Sequence, residues 1–181
     1  MTRFATGIYW FTGLSGAGKT TLTQGVAELL RSQGHTCLVL DGDILRAGLS
    51  SDLGFSPEDR RENIRRASEV ARMAAQQNQV CLCAFITPYQ ATRDALRQRL
   101  EGLYHEIFVK CPLERCMERD PKQNYFRARQ RGANDYTGLG APYESPVSPN
   151  LCVETDRHPI DVCVKMIAEY ILESQNKPNG E

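Results

Sequence analysis

The sequence predicts an α/β fold, a parallel five-stranded sheet flanked by helices, in one domain over residues 1–181. Three observations carry this. Short apolar runs rich in β-formers alternate with segments whose apolar positions recur at helical spacing, the pattern of helices laid on a parallel sheet. One run, "QVCLCAFIT", is apolar almost throughout, as a strand covered on both faces must be. A glycine-rich turn joins the first run to the first helix.

The elements follow in order. "GIYWFTG" is the first strand, and a helix runs from about Gly18 to Ser32 with Leu22, Val26, Leu29 and Leu30 on one face. Gly34 stops it. "TCLVLDGD" is the second strand, closed by acids at its carboxyl end. The helix of "SPEDRRENIRRASEVARMAAQQN" has Ser56 at its N-cap and Pro57 in its first turn, where Glu58 and Asp59 also favour the helix dipole. "QVCLCAFIT" follows as a strand, 91–100 as a helix, "HEIFVKC" as a strand and "PLERCMER" as a short helix. The stretch from about 120 to 150 is polar, rich in Gly, Pro, Asn and Arg, and nearly without periodicity; a loop that long in a compact domain is usually functional or disordered. "LCVETD" is the last strand, "PIDVCVKMIAEYILES" the last helix, and 175–181 a frayed tail.

Composition narrows the classes. Lysine and arginine together number 22, as do aspartate and glutamate, which argues against a large basic surface for nucleic acid. No run approaches the length of a membrane span, and the N-terminal stretch lacks the pattern of a secretory leader. The seven cysteines are odd in number and scattered through apolar segments, which reads as buried reduced thiols in a cytoplasmic protein. Cys81 and Cys83 share one strand face, and the spacing of Cys111 and Cys116 suits zinc poorly.

"GLSGAGKT" fits G-x-x-x-x-G-K-[ST] between a strand and a helix. Gly13, Gly16 and Gly18 let the backbone of Gly13, Leu14, Ser15, Gly16, Ala17 and Gly18 curl so that several N–H groups face one anion, and the helix adds its positive end. Lys19 reaches the β- and γ-phosphates and the Thr20 hydroxyl can ligate Mg²⁺; Thr21 follows as a loop or cap residue. This predicts binding of ATP or GTP without separating a kinase from an ATPase, a switch or a regulatory module. No N-K-x-D motif specifies guanine.

In "VLDGD", Asp41 and Asp43 stand at the carboxyl end of a strand, where α/β sheets place ligands. Asp43 is the candidate base toward an attacking hydroxyl, with Asp41 supporting metal or loop. On the helix from Ser56, Ile64, Ala67, Ala71 and Ala74 form the apolar stripe, continued toward the N-terminus by Arg60 and Asn63. Arg61, Arg65 and Arg66 fall on a solvated face. An inward arginine needs an anionic or hydrogen-bonding partner. Phe55, just before the helix, is either an aromatic face for a planar ligand or a hydrophobic staple.

Taken together, "WFTGLSGAGKTT", "LDGDILR", "LGFSPEDRRENIRR", "FITPY", "ERDPK", "YTGLGAPYE" and "SPNLCVETD", in that order from Gly7 to about Val153, resemble the adenylylsulfate (APS) kinases. The resemblance implies a P-loop kinase fold with a mobile lid over about 120–150, and a homodimer. The implied reaction is ATP plus APS giving ADP plus 3′-phospho-APS. It implies that Phe55 and Tyr136 clamp a purine, that Arg46, Arg60 and Asn63 bind the phosphosulfate end, that Ile86 and Lys122 line the acceptor site, and that Arg119 lies near the ATP base. Several positions depart from the family's pattern. Thr87 stands where many members have a serine that is phosphorylatable in some; it is the candidate phosphoacceptor and an acceptor-site residue. The lid reads "DPKQNYFRAR" where D-P-K-G-L-Y-K-K-A-R is common, so Gln123 replaces a glycine. Tyr136 replaces a usual phenylalanine. Two further readings stay open: a kinase of the same fold acting on another nucleotide's ribose hydroxyl, and a nucleotide-binding subunit without turnover, against which Lys19, Thr20 and Asp43 weigh.

Overall fold

A computed structural model describes residues 5–132 and 136–175. Its elements are β1 (Gly7–Thr12), α1 (Lys19–Ser32), β2 (Cys37–Asp41), α2 (Gly42–Ala47), α3 (Pro57–Gln76) and β3 (Val80–Ala84). They continue with α4 (Gln90–Arg99), β4 (Tyr104–Lys110), α5 (Leu113–Arg119), α6 (Asn124–Gln130), β5 (Leu151–Glu154) and α7 (Ile160–Ser174). The strands form one parallel sheet in the order β2-β3-β1-β4-β5.

β1 is central, and alternate side chains along it feed two different cores. Tyr9 and Phe11 meet Leu22, Val26 and Leu30 of α1 and Ile167 and Ile171 of α7 on one face. Ile8 and Trp10 meet Ala67, Ala71 and Ala75 of α3 and Leu96 of α4 on the other. The alanine stripe lets α3 lie close to the sheet beside the fully buried Trp10 ring, which stacks on Phe85 at 4.8 Å. After β1 the chain builds outward to β2 and returns through β3; after β3 it crosses to β4 on the far side of β1. The carboxyl ends of β1, β3 and β4 therefore open a crevice of the kind in which such sheets bind ligands.

The structure corrects several expectations. The second strand ends at Asp41, and "GDILRA" is a short helix, α2, with Asp41 as its N-cap: its side chain accepts from the Asp43 N–H at 2.9 Å. The segment expected to be irregular from 120 contains α6, whose first turn is held by Asp120 accepting from the N–H groups of Asn124 and Phe126 at 2.8 and 3.1 Å. On α3 the buried small residues include Ser68 and Ala75, while Ala74 is only partly covered. Gln175, expected to fray, is pinned: its side chain bonds both backbone groups of Thr6, at 3.1 and 2.8 Å. The rest of that tail, 176–181, lies outside the described residues. All seven cysteines are free, but Cys152 is exposed and Cys37 half-buried. Among the described residues no helix is long and apolar enough to cross a membrane.

Candidate active site

The loop between β1 and α1 owes its shape to contacts that exclude side chains. Gly13 has φ +154°, and a Cβ there would sit 2.4 Å from the Val109 carbonyl oxygen. Gly16 has φ +76°, and a Cβ there would sit 2.6 Å from the Cys116 carbonyl oxygen. The loop thus lies flat against the end of β4 and the middle of α5. Gly18 is the N-cap of α1 and supplies no side-chain acceptor, which leaves the first-turn N–H groups for an anion. Lys19 is only 9 % exposed and donates to the carbonyls of Gly13 and Leu14 at 2.9 and 2.7 Å. Burial lowers its pKa to about 8, opposed chiefly by Cys116 and Asp41. Around the loop, the Ala17 carbonyl accepts the Thr155 hydroxyl at 2.9 Å and the Ser15 carbonyl accepts the Tyr125 hydroxyl at 3.0 Å. Thr21 is exposed on the first turn of α1.

The two aspartates occupy different environments. Asp41 is buried and accepts the Thr20 hydroxyl at 2.7 Å. Asp43, in the first turn of α2, has a largely exposed carboxylate that meets Lys122 Nζ at 2.5 Å. Thr20 and Asp41 present hard oxygen donors side by side at the helix end of the loop, a donor set that fits Mg²⁺. Among the described residues no group of three or more His, Cys, Asp or Glu is arranged to hold a metal by itself.

At the other end of α2, cationic groups gather on an aromatic ring. Phe55 is 64 % exposed, with the Arg46 guanidinium 4.5 Å and the Arg60 guanidinium 5.8 Å from its centroid. Arg46 donates to the Gly54 carbonyl at 2.6 Å and Arg60 to the Phe55 carbonyl at 2.8 Å. Burial lowers the Arg46 pKa, and Arg60 lowers it further by like charge. A hydrophobic staple would pair Phe55 with an apolar residue one turn inside the helix; that place is Arg60. Arg60 is half-buried, so it faces a cleft and does not enter the core. Asn63 does enter it: the residue is 4 % exposed and its Oδ1 has no hydrogen-bond partner among the described residues. Arg61 and Arg65 pair with Glu58 and Glu62 on the surface, as expected. Arg66 departs from that expectation. It bonds Asp52, Glu62 and the Leu49 carbonyl, tying the loop after α2 to α3.

Phe55, Ser56, Pro57 and Arg60 line a cleft of about 160 Å³ with Pro88, Tyr89, Thr137 and Ala141. Ile86, two residues before Pro88, ties the turn after β3 to the end of β1, its carbonyl accepting from the Thr12 hydroxyl at 2.7 Å. Tyr136 is half-buried and meets Tyr125 edge-on at 5.2 Å. Arg119 spans Thr155, with bonds to its hydroxyl and carbonyl at 3.1 and 2.7 Å, beside the phosphate loop. A larger cleft of about 250 Å³ between the ends of β4 and β5 shares Leu14 with the loop but none of the gathered arginines.

A sequence profile of the family described as adenylylsulphate kinase matches residues 5–154. The chain belongs to the adenylylsulphate kinase family. A relative named adenylyl-sulfate kinase from Bacillus licheniformis is 45 % identical over 165 residues, covering 91 % of this chain and 84 % of its own. The solved APS kinase CysC of Mycobacterium tuberculosis, described in complex with AMPPNP and APS, matches with a TM-score of 0.86 and 38 % identity, covering 94 % of this chain and 99 % of that one. A hexameric APS kinase from Thiobacillus denitrificans matches with a TM-score of 0.71 and 33 % identity, over 95 % of this chain and 30 % of that one.

Within this APS kinase family member, Thr87 is 3 % exposed and its hydroxyl accepts the Trp10 indole N–H at 2.8 Å. Its φ of +42° is unusual for a β-branched residue. Gln123, at the position the family pattern gives to glycine, also has left-handed backbone, φ +52°. Sequence reasoning missed Tyr125, the bridge from α6 to the phosphate loop. Its only signal was a pair of adjacent aromatics, Tyr125 and Phe126, in a polar run. It also missed Arg93 and Glu144, which fasten the turn after β3 to the C-terminal part of the lid segment.

Proposed function

We infer that this chain transfers the γ-phosphoryl group of ATP to the 3′-hydroxyl of adenosine 5′-phosphosulfate, giving ADP and 3′-phosphoadenylylsulfate. The observation that carries the reading is the pair of guanidinium groups, Arg46 and Arg60, gathered on the exposed Phe55 ring, with the buried Asn63 amide on the same helix as Arg60. A planar base on Phe55 would put its anionic end within reach of both arginines, which suit bidentate phosphate and sulfate. Tyr136 would supply the facing aromatic, and Ile86 and Thr87 the wall toward the phosphate loop.

The donor lies on Gly13–Thr20, where Lys19 exchanges its two loop carbonyls for phosphate oxygens. Thr20 and Asp41 would hold Mg²⁺, which supplies charge neutralisation across the β- and γ-phosphates. Asp43, exposed and outside the loop, orients the acceptor hydroxyl and takes its proton, while Lys122 shifts from Asp43 to the acceptor. Arg119, beside Thr155, would sit at the ATP base, and residues 120–150 would act as a lid that excludes water during transfer. We further propose a homodimer in the cytoplasm; seven free thiols and ATP as donor suit a reducing compartment.

A coupled assay with ATP, Mg²⁺ and APS tests the reading: ADP release must depend on APS. Arg60→Ala should abolish most APS use with ATP binding nearly unchanged. Well-folded protein that releases no ADP above the APS-free control, or prefers another nucleotide acceptor by a large margin in kcat/KM, refutes it.

A further inference from the structure

Arg93 lies on α4, outside every motif that defines the site, yet it is fully buried. A core arginine needs one carboxylate, and Glu106 of β4 provides it: Nε stands 2.9 Å from Oε1, an ion pair whose angle is not that of a hydrogen bond. Glu106 also holds Arg97 at 2.8 Å, so its charge has a second partner. The remaining donors of Arg93 go elsewhere. Nη1 donates to the Thr87 carbonyl at 2.8 Å; Nη2 donates to Gln90 Oε1 at 2.6 Å and to the Glu144 carbonyl at 2.7 Å.

Those two carbonyls belong to segments that lie far apart in sequence and border one cleft. Thr87 opens the turn that carries Pro88 and Tyr89; Glu144 closely follows Thr137 and Ala141. Two more bonds close the junction: the Glu144 N–H donates to the Pro88 carbonyl at 2.9 Å, and the Glu144 carboxylate accepts the Gln90 N–H at 2.6 Å. A guanidinium is planar and rigid, so a carbonyl on each arm fixes the spacing of the two backbones.

We propose that Arg93 is a positioning residue that sets the width of the acceptor cleft by holding the Thr87–Tyr89 turn against the end of the lid segment at Glu144. The proposal rests on the reading of that cleft as the acceptor site. A competing role is plain core neutralisation of Glu106, and the two predict different behaviour. Arg93→Lys keeps a cation for Glu106 but cannot reach both carbonyls in the plane of a fork. The double variant Arg93→Met/Glu106→Gln removes the buried charge together with its partner, so it guards against a fold lost to an orphaned carboxylate.

The experiment is steady-state kinetics with APS and ATP varied separately, beside thermal unfolding and timed trypsin cleavage at Lys122, Arg127, Arg129 and Arg131. Arg93→Lys should raise the KM for APS tenfold or more and leave the KM for ATP within twofold. The double variant should unfold near the wild-type temperature and keep the raised KM for APS. Equal shifts in both KM values, or full recovery of the APS value in the double variant, overturn the proposal. If the wild-type protein does not use APS, the functional reading fails, and trypsin decides this one. Faster cleavage at those four sites in both variants supports it; unchanged cleavage overturns it.

Discussion

Replacing Gly16 by alanine tests the idea that the phosphate loop is shaped by contact with α5. Two costs add. The φ of +76° is one that a Cβ opposes, at about 1–2 kcal/mol. The Cβ would stand 2.6 Å from the Cys116 carbonyl oxygen, which is helix backbone and cannot rotate away. Overpacking of that kind costs about 1–3 kcal/mol. A smaller unfolded-state entropy returns about 0.4–1 kcal/mol. The net loss is about 1–5 kcal/mol, or about 2–20 °C in the unfolding midpoint of a domain this size. Gly34 provides the control, because its φ is +86° and a Cβ there meets nothing within 4 Å. Gly34→Ala should cost about 1 kcal/mol or less, the backbone term alone. Denaturant titration of both variants gives the steric term by difference, and calorimetric titration should show ATP bound about tenfold more weakly by Gly16→Ala only. A Gly16→Ala protein that matches Gly34→Ala in both measurements refutes the packing argument.

Four further outcomes follow from the site. Burial holds Lys19 near a pKa of about 8, so above that pH the free amine is neutral and phosphate binding must take up a proton. ATP affinity should fall as pH rises past 8, with proton uptake seen by calorimetry in two buffers, and Lys19→Met should abolish the uptake. Thr87→Val orphans the buried Trp10 N–H and should cost about 1–3 kcal/mol in denaturant unfolding, whereas Thr87→Ser keeps the acceptor and should hold or raise stability. Tyr125→Phe removes the bond to the Ser15 carbonyl and should cost about 1 kcal/mol, with weaker ATP binding by titration. Asp43→Asn should lower kcat about 10²–10⁴-fold in the coupled assay while ATP affinity holds, since Asp43 contacts Lys122 and not the loop.

The sheet and the donor half of the site were legible because each rests on a local rule. Continuous apolar runs mark covered strands, and a lysine after a glycine turn marks a phosphate loop. Of the three helices of six or seven residues, α5 was legible and α2 and α6 were not. Those two are held by hydrogen bonds to Asp41 and Asp120, which look like ordinary loop acids in sequence. The face of Arg60 was read in the right direction but to the wrong depth, since a helix wheel gives an angle and not the distance to the next layer. Arg66 read as solvated because its partners Leu49 and Asp52 sit in a loop whose path no periodicity reveals. Arg93 was the clearest omission, and a clue existed. Glu106 lies in the strand run "HEIFVKC", on the same face as Tyr104 and Phe108, and a buried carboxylate there demands a cation.

The central place of β1 also sets the order in which the chain can fold. Gly7 pairs with Val80 and Ile8 with Tyr104, so neither neighbour of the first strand exists until much of the chain has been made. At about 5–20 residues per second on the ribosome, "GIYWFT" waits on the order of 4–15 s with both edges unpaired and about 5–20 s before the second edge can pair. It is apolar, rich in β-formers and without charge, the profile of an aggregation-prone segment. Shielding of this one hexapeptide during synthesis therefore bears on how much protein folds, and the phosphate loop that hangs from it cannot settle before Val109 and Cys116, against which it packs, have been made.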